Sequence, residues 1–129
     1  MPFLTPLQGR FQDGPRFFVL TDELAYVSNA GAQFIVPRGF ACDLASVPKW
    51  AAAFAAPWNL SAEPGCLHDW LYQTATLSRE GADAIFREAL LSRGVDADVA
   101  RRMWEAVRVF GLLPWIHWRA VAARAKEPT

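Results

Sequence analysis

His68 and Asp69 open the segment His68-Asp69-Trp70-Leu71-Tyr72, and Asp83 follows inside Ala82-Asp83-Ala84-Ile85-Phe86. Asp43 lies upstream in Gly39-Phe40-Ala41-Cys42-Asp43-Leu44-Ala45-Ser46-Val47-Pro48. An imidazole among carboxylates in apolar surroundings is a set of groups that can activate water or hold a cation. The spacing decides which of them can meet. A helix over residues 62–75 puts His68 and Tyr72 on one face and turns Asp69 away by about 100°. The short connection Gln73–Leu77 then folds the next helix back, so that Asp83 comes against His68 and fixes its tautomer.

On this reading His68 is a general base, Asp83 orients it, and Asp69 with Asp43 holds a divalent cation, calcium or zinc. Tyr72 and Ser46 support the site. Asp43 ends the last strand just before the helix start Ser46-Val47-Pro48, where a proline in the first turn is tolerated. The same residues also admit a purely structural role. Asp43 or Ser46 can cap a helix, His68 and Asp83 can form a buried polar pair between helices, and Tyr72 can be core.

Two further assemblies follow from residue type. Cys42, Cys66, His68 and Asp69 offer zinc-type ligands, although Cys-x-His is shorter than the usual finger spacing. Ser46, His68 and Asp83 have the makings of a nucleophile triad, but Ser46 lacks the G-x-S-x-G turn that exposes such a serine. His117 has no acidic neighbour in sequence and reads as a surface or packing residue.

The elements that must carry these groups change character midway. Phe17-Phe18-Val19-Leu20, Leu24-Ala25-Tyr26-Val27 and Phe34-Ile35-Val36 read as strands. Asp13-Gly14-Pro15, Thr21-Asp22-Glu23 and Asn29-Ala30-Gly31 are the turns between them. From Val47 onward, apolar residues recur at helical spacing. Ser78 caps a helix with Ile85, Phe86, Ala89 and Leu90 as its buried stripe and Gly94 as its end. Asp96 caps another, with Val99, Met103, Ala106, Val107 and Phe110 on one face and Arg101, Arg102, Glu105 and Arg108 on the other. Gly111 and Pro114 close that helix, and a last one runs from about Trp115 to Ala125. The expected architecture is one α+β domain over residues 1–129. An antiparallel β-meander (1–46) packs on a bundle of four to five helices (47–125).

A hydrophobic share of 53% in 129 residues supplies one sizeable core. Thirteen basic and thirteen acidic side chains cancel, so no broad positive field favours nucleic acid. Uncharged runs such as Trp50–Ala62, which contains Pro57, fall well short of the roughly 20 apolar residues of a spanning helix. Met1-Pro2-Phe3-Leu4 does not begin a secretory signal. Cys42 and Cys66 can form one disulfide, but without export the expectation is a reduced, partly buried pair. Trp104, Trp115 and Trp118 with Arg108 and Arg119 can seat the C-terminal helices at a lipid interface. The commoner arrangement packs the tryptophans onto the sheet and leaves the arginines in water.

The motifs Gly39-Phe40-x-x-Asp43-Leu44-Ala45-Ser46-Val47-Pro48, His68-Asp69-x-Leu71-Tyr72 and Ser78-Arg79-x-x-Ala82-Asp83-x-x-Phe86 together resemble an uncharacterised family of tailed phages, prophages and bacteria. That resemblance implies a phage or prophage origin, a small α+β domain, and residence in the bacterial host cytoplasm or the virion. The His68–Tyr72 segment is also similar to the His-Asp-x-Cys-Tyr helix of secretory phospholipases, with Leu71 where those enzymes have cysteine. The likeness implies that His68 activates water, Asp69 binds calcium and Asp83 supports the histidine. The resulting expectation is a metal-assisted hydrolase acting on lipid or cell-envelope esters or amides. A noncatalytic virion, tail or assembly component bound to other virion proteins, or an inhibitor of a host protein, is the alternative.

Overall fold

The computed structural model describes residues 2–12, 17–43 and 58–126, with the side chains of Asp43, Trp58 and Asn59 outside the description. Among the described residues there are five strands, β2 to β4 from short apolar runs between turn residues: β1 (Gly9–Gln12), β2 (Phe17–Leu20), β3 (Leu24–Val27), β4 (Gln33–Val36) and β5 (Ala41–Asp43). Four helices follow among the described residues: α1 (Trp58–Thr74), α2 (Arg79–Ser92), α3 (Ala97–Phe110) and α4 (Leu112–Ala125). The arrangement is α+β, as the change of periodicity after the strands requires.

The strands do not make one meander. β3 and β4 pair as an antiparallel hairpin of their own, while β5 passes over them to pair with β2 in the order β1-β2-β5. The return is fixed by Leu20 N donating to Phe40 O at 2.9 Å and Gly39 N donating to Leu20 O at 2.8 Å. Gly39 has φ +89°, a conformation that residues with a Cβ rarely adopt. β1 has no strong sequence signature because three of its four residues are exposed, so no apolar alternation betrays it.

Leu20, Leu24, Tyr26, Val36 and Cys42 from the strands meet Cys66, Leu67, Leu71, Ala82 and Ala89 from α1 and α2 in the main core. A second cluster joins Phe86 and Leu90 to Val95 and Ala100, with Val99, Met103 and Val107 packed against it. α1 and α2 run antiparallel, since Arg93 Nε pairs with Glu63 Oε1 at 3.1 Å at one end and His68 meets Asp83 nearer the other. The hairpin is tied to α2 by Glu88, whose Oε1 accepts from Tyr26 Oη at 2.5 Å and from Asn29 N at 2.8 Å.

Capping chemistry sets both ends of α2. Ser78 Oγ accepts from Gly81 N at 3.0 Å and starts α2. At the other end Val95 N reaches back to Leu90 O at 3.1 Å and Gly94 N to Leu91 O at 3.1 Å, the Schellman pattern. Asp96, expected to cap α3, makes no side-chain capping bond. Pro114 does not close α3 but sits in the first turn of α4, which begins at Leu112 rather than Trp115. The helix expected from Val47 lies outside the described residues.

Cys42 and Cys66 are joined by a disulfide, which corrects the expectation of reduced thiols. Pairing of β5 with β2 lays its end beside α1, with the two Cα atoms 5.3 Å apart. The bond closes a separation of 24 residues, which by loop entropy stabilises the fold by about 3 kcal/mol. Cys42→Ser should therefore lower the midpoint of urea unfolding by a comparable free energy, and added reductant should lower that of the wild type but not of the variant. An equal response of both proteins to reductant would refute this.

Candidate functional site

Asp83 is the centre of the site because of where α2 begins. With Ser78 at the cap, Arg79 falls at the first helical position and Asp83 one turn later. The Asp83 side chain has no exposure to solvent. A buried carboxylate is stable only when donors surround it, and four side chains supply them. Oδ1 contacts His68 Nε2 at 2.7 Å and accepts from Tyr72 Oη at 2.6 Å. Oδ2 accepts from Arg108 Nη1 at 2.7 Å and from Arg79 Nη1 at 3.4 Å.

Burial raises the Asp83 pKa, but hydrogen bonds from His68 and Tyr72, the charge of His68 and the bond from Arg108 outweigh it and hold the carboxyl below its usual range. An ionised carboxylate can only accept, so Nε2 of His68 carries a proton, and the tautomer that keeps this bond in a neutral ring has its lone pair on Nδ1. Burial, then the bond to Asp83, pushes the Tyr72 hydroxyl upward, so it stays a donor. The imidazole is wedged between rings, 4.3 Å from Tyr72 and 4.7 Å from Phe86 between centroids. Its side chain is 13% exposed, against none for Asp83. The histidine is thus the member of the pair that reaches water.

The arginines do more than neutralise charge. Arg79 Nη2 donates to Arg108 O at 2.7 Å and Nη1 to Val107 O at 3.4 Å, satisfying carbonyls at the end of α3. Arg119 Nη2 does the same for α1, donating to Tyr72 O and Gln73 O, both at 2.7 Å. Its guanidinium lies over Trp115, 4.4 Å from the ring centroid, and the Trp115 and Tyr72 rings meet nearly at right angles. Arg108 and Arg119 are therefore built into the site, which corrects their reading as solvated residues. Trp115 and Trp118 pack partly buried against the core.

Of the residues singled out in the sequence, the fold brings His68, Tyr72 and Asp83 together. Asp69 is half-buried on α1 and is not among the partners of Asp83. Asp43 pairs through its backbone with Phe17, but its side chain, and all of Ser46, lie outside the described residues. Zinc binding through Cys42 and Cys66 is overturned, because both sulfurs are used in the disulfide. Among the described residues no three His, Cys, Asp or Glu side chains gather as metal ligands would. Sequence reasoning missed Arg79 and Arg108 as site members. The i,i+4 spacing of Arg79 and Asp83 was a usable signal, whereas Arg108 reaches Asp83 only through the packing of α3.

A concavity of about 510 Å³ lies elsewhere, on the β1–β2 side, lined by residues that include Arg10, Phe11, Val19 and Arg38. It does not include the His68–Asp83 pair. The family described as "Protein of unknown function (DUF1353)" matches residues 18–107. The chain belongs to this DUF1353 family. No curated protein and no solved structure matches it. The DUF1353 match begins at the second residue of β2, covers β3 to β5, and takes in His68, Tyr72, Arg79 and Asp83. It ends one residue before Arg108 and leaves α4 outside.

Asp83→Asn should destabilise the protein by roughly 3 kcal/mol at neutral pH, because it removes the charge that Arg79 and Arg108 face. The folded pKa is depressed, so the stabilisation is complete above the unfolded value of about 3.9 and disappears as pH falls through the lower folded value. Urea unfolding across the acid range should show a falling limb that is flattened in Asp83→Asn. Identical limbs in the two proteins would show that Asp83 does not carry it.

Proposed function

We propose that this DUF1353 protein is a small hydrolase of phage or prophage type, acting on ester or amide bonds of lipid or cell-envelope material. The observation that carries the reading is the 2.7 Å contact of His68 Nε2 with a buried Asp83, on a ring that still reaches solvent. Nδ1 accepts a proton from water as that water attacks the substrate carbonyl. The imidazolium so formed is stabilised by the Asp83 charge and returns the proton to the leaving alcohol or amine. Asp83 acts through His68, and Tyr72, Arg79 and Arg108 hold Asp83 ionised.

The likeness to the secretory phospholipase helix supports the same division of labour. His68, Tyr72 and Asp83 occupy the positions that the likeness assigns to the base, its helix neighbour and its supporting acid. Asp69 and Asp43 are the residues that would hold a divalent cation, which would polarise the carbonyl. Among the described residues no three His, Cys, Asp or Glu side chains form a ligand group, and the side chain of Asp43 lies outside them. The phage or prophage origin rests on the motif resemblance. Of virion and host cytoplasm, the virion suits a disulfide better, since reducing compartments keep thiols free.

A second reading has its own support. Asp83 receives four side-chain donors, and Arg79 joins it to the end of α3, so the cluster also works as a polar bracket between three helices. That arrangement serves a noncatalytic virion or assembly component equally well.

The readings separate on His68→Asn, assayed against phospholipid and short-chain ester substrates alongside a thermal melt. A catalytic His68 predicts hydrolysis by the wild type that falls by at least about a hundredfold in the variant. A bracket predicts no hydrolysis by either protein and a lowered melting temperature. Hydrolysis undiminished in His68→Asn would remove the histidine from the reaction.

A further inference from the structure

Large apolar side chains stand in water around one corner of the molecule, where α3 turns into α4. Val109 is 67% exposed, Phe110 42%, Leu112 49%, Leu113 76% and Ile116 51%. Scattered exposed aliphatics are ordinary, but a run of them at a single turn marks an interaction surface. α4 buries none of its residues fully. Helical spacing aligns Leu113, Ile116, His117 and Arg124 on its outward side, and all are exposed.

Charge narrows the choice of occupant. From Ala106 to Lys126 the sequence has no Asp or Glu, while it carries Arg108, Arg119, Arg124 and Lys126. Arg108 and Arg119 are spent on Asp83 and on the end of α1. Arg124 and Lys126 are exposed at the far end of the apolar stripe. The flanking acids are Glu105, exposed on α3 one turn before Val109, Glu80, 3.9 Å from Arg108, and Glu127 beyond the helix, so the acid-free stretch is α4 itself. A second copy of the chain laid on this face would set one acid-free, basic helix against another, without complementary charge. An anionic lipid surface meets both features. Aliphatic side chains enter the boundary between headgroups and acyl chains, and Arg124 and Lys126 face the lipid phosphates.

We propose that the α3–α4 corner seats this protein on anionic lipid. The inference stands apart from the hydrolase reading, but the two are contiguous. Arg108, next to Val109, holds Asp83, and a Cβ added to Gly111 would strike the Tyr72 hydroxyl and the Val107 carbonyl. Seating the corner would bring the His68 site to the lipid.

The test is flotation of the purified full chain with vesicles of phosphatidylcholine alone or mixed with phosphatidylglycerol. Wild type should float with the mixed vesicles, and less at high salt or without phosphatidylglycerol. The double variant Leu113→Glu, Ile116→Glu should bind at least about tenfold more weakly, and Arg124→Glu, Lys126→Glu should lose the preference for the anionic lipid. Both pairs are on the surface, and an unchanged melting temperature confirms the fold. Failure of the wild type to float, or equal flotation of Leu113→Glu, Ile116→Glu, would overturn the proposal. A wild-type dimer in sedimentation velocity that this variant dissolves would assign the face to a second copy instead. His68→Asn should float like the wild type, so a failed hydrolysis assay leaves this result intact.

Discussion

A single buried negative charge governs the helical half of this protein. Taking a carboxylate out of water is so unfavourable that it persists only where donors replace the lost hydration. Asp83 obtains them from α1 through His68 and Tyr72, from its own helix through Arg79, and from α3 through Arg108. Each donor reaches it only if the three helices hold one register. The apolar core sets how closely they pack, and the carboxylate selects one arrangement among the close-packed ones. The same requirement makes the site readable in two ways, because a charge that orients a catalytic histidine and a charge that clamps helices need the same neighbours.

Much of this was legible in the sequence, for reasons that can be named. The i,i+4 spacing of His68 and Tyr72 and the short connection before Ser78 were enough to put the imidazole, the phenol and Asp83 together, because helix geometry is local. β2 and β3 were readable from their apolar runs. What failed was non-local. β5 bypasses the β3–β4 hairpin to pair with β2, and no local pattern records which strand a third one will choose. The expectation of reduced thiols rests on compartment alone, whereas the return of β5 places Cys42 beside Cys66 and the two are joined. Arg108 reads as a surface residue because its helical position faces outward from the apolar stripe of α3. Only the approach of α2 gives it a partner. Asp96 illustrates the limit of residue type alone, being a good capping residue that makes no cap.

Arginine has an uncommon share of the architecture. Arg79 and Arg119 each end a helix that is not their own, donating to the last carbonyls of α3 and α1. Those carbonyls carry the negative end of the helix dipole, so a guanidinium there gains both hydrogen bonds and charge complementarity. Its planar fork reaches two acceptors at once, which a lysine cannot do in the same geometry. Arg119 belongs to α4, the segment outside the DUF1353 match, so the appended helix completes the end of α1 rather than merely following the domain.

The tie between Glu88 and the β3–β4 hairpin gives α2 a second fixed point. Asp83 anchors the helix to α1, and Glu88, five residues on, anchors it to Tyr26 and Asn29. Two pins on one rigid rod forbid both rotation about its axis and sliding along it. The hairpin therefore works as a gauge for the helix pair: a slip of α2 by one residue would unseat both pins together, leaving no intermediate setting for the imidazole to occupy.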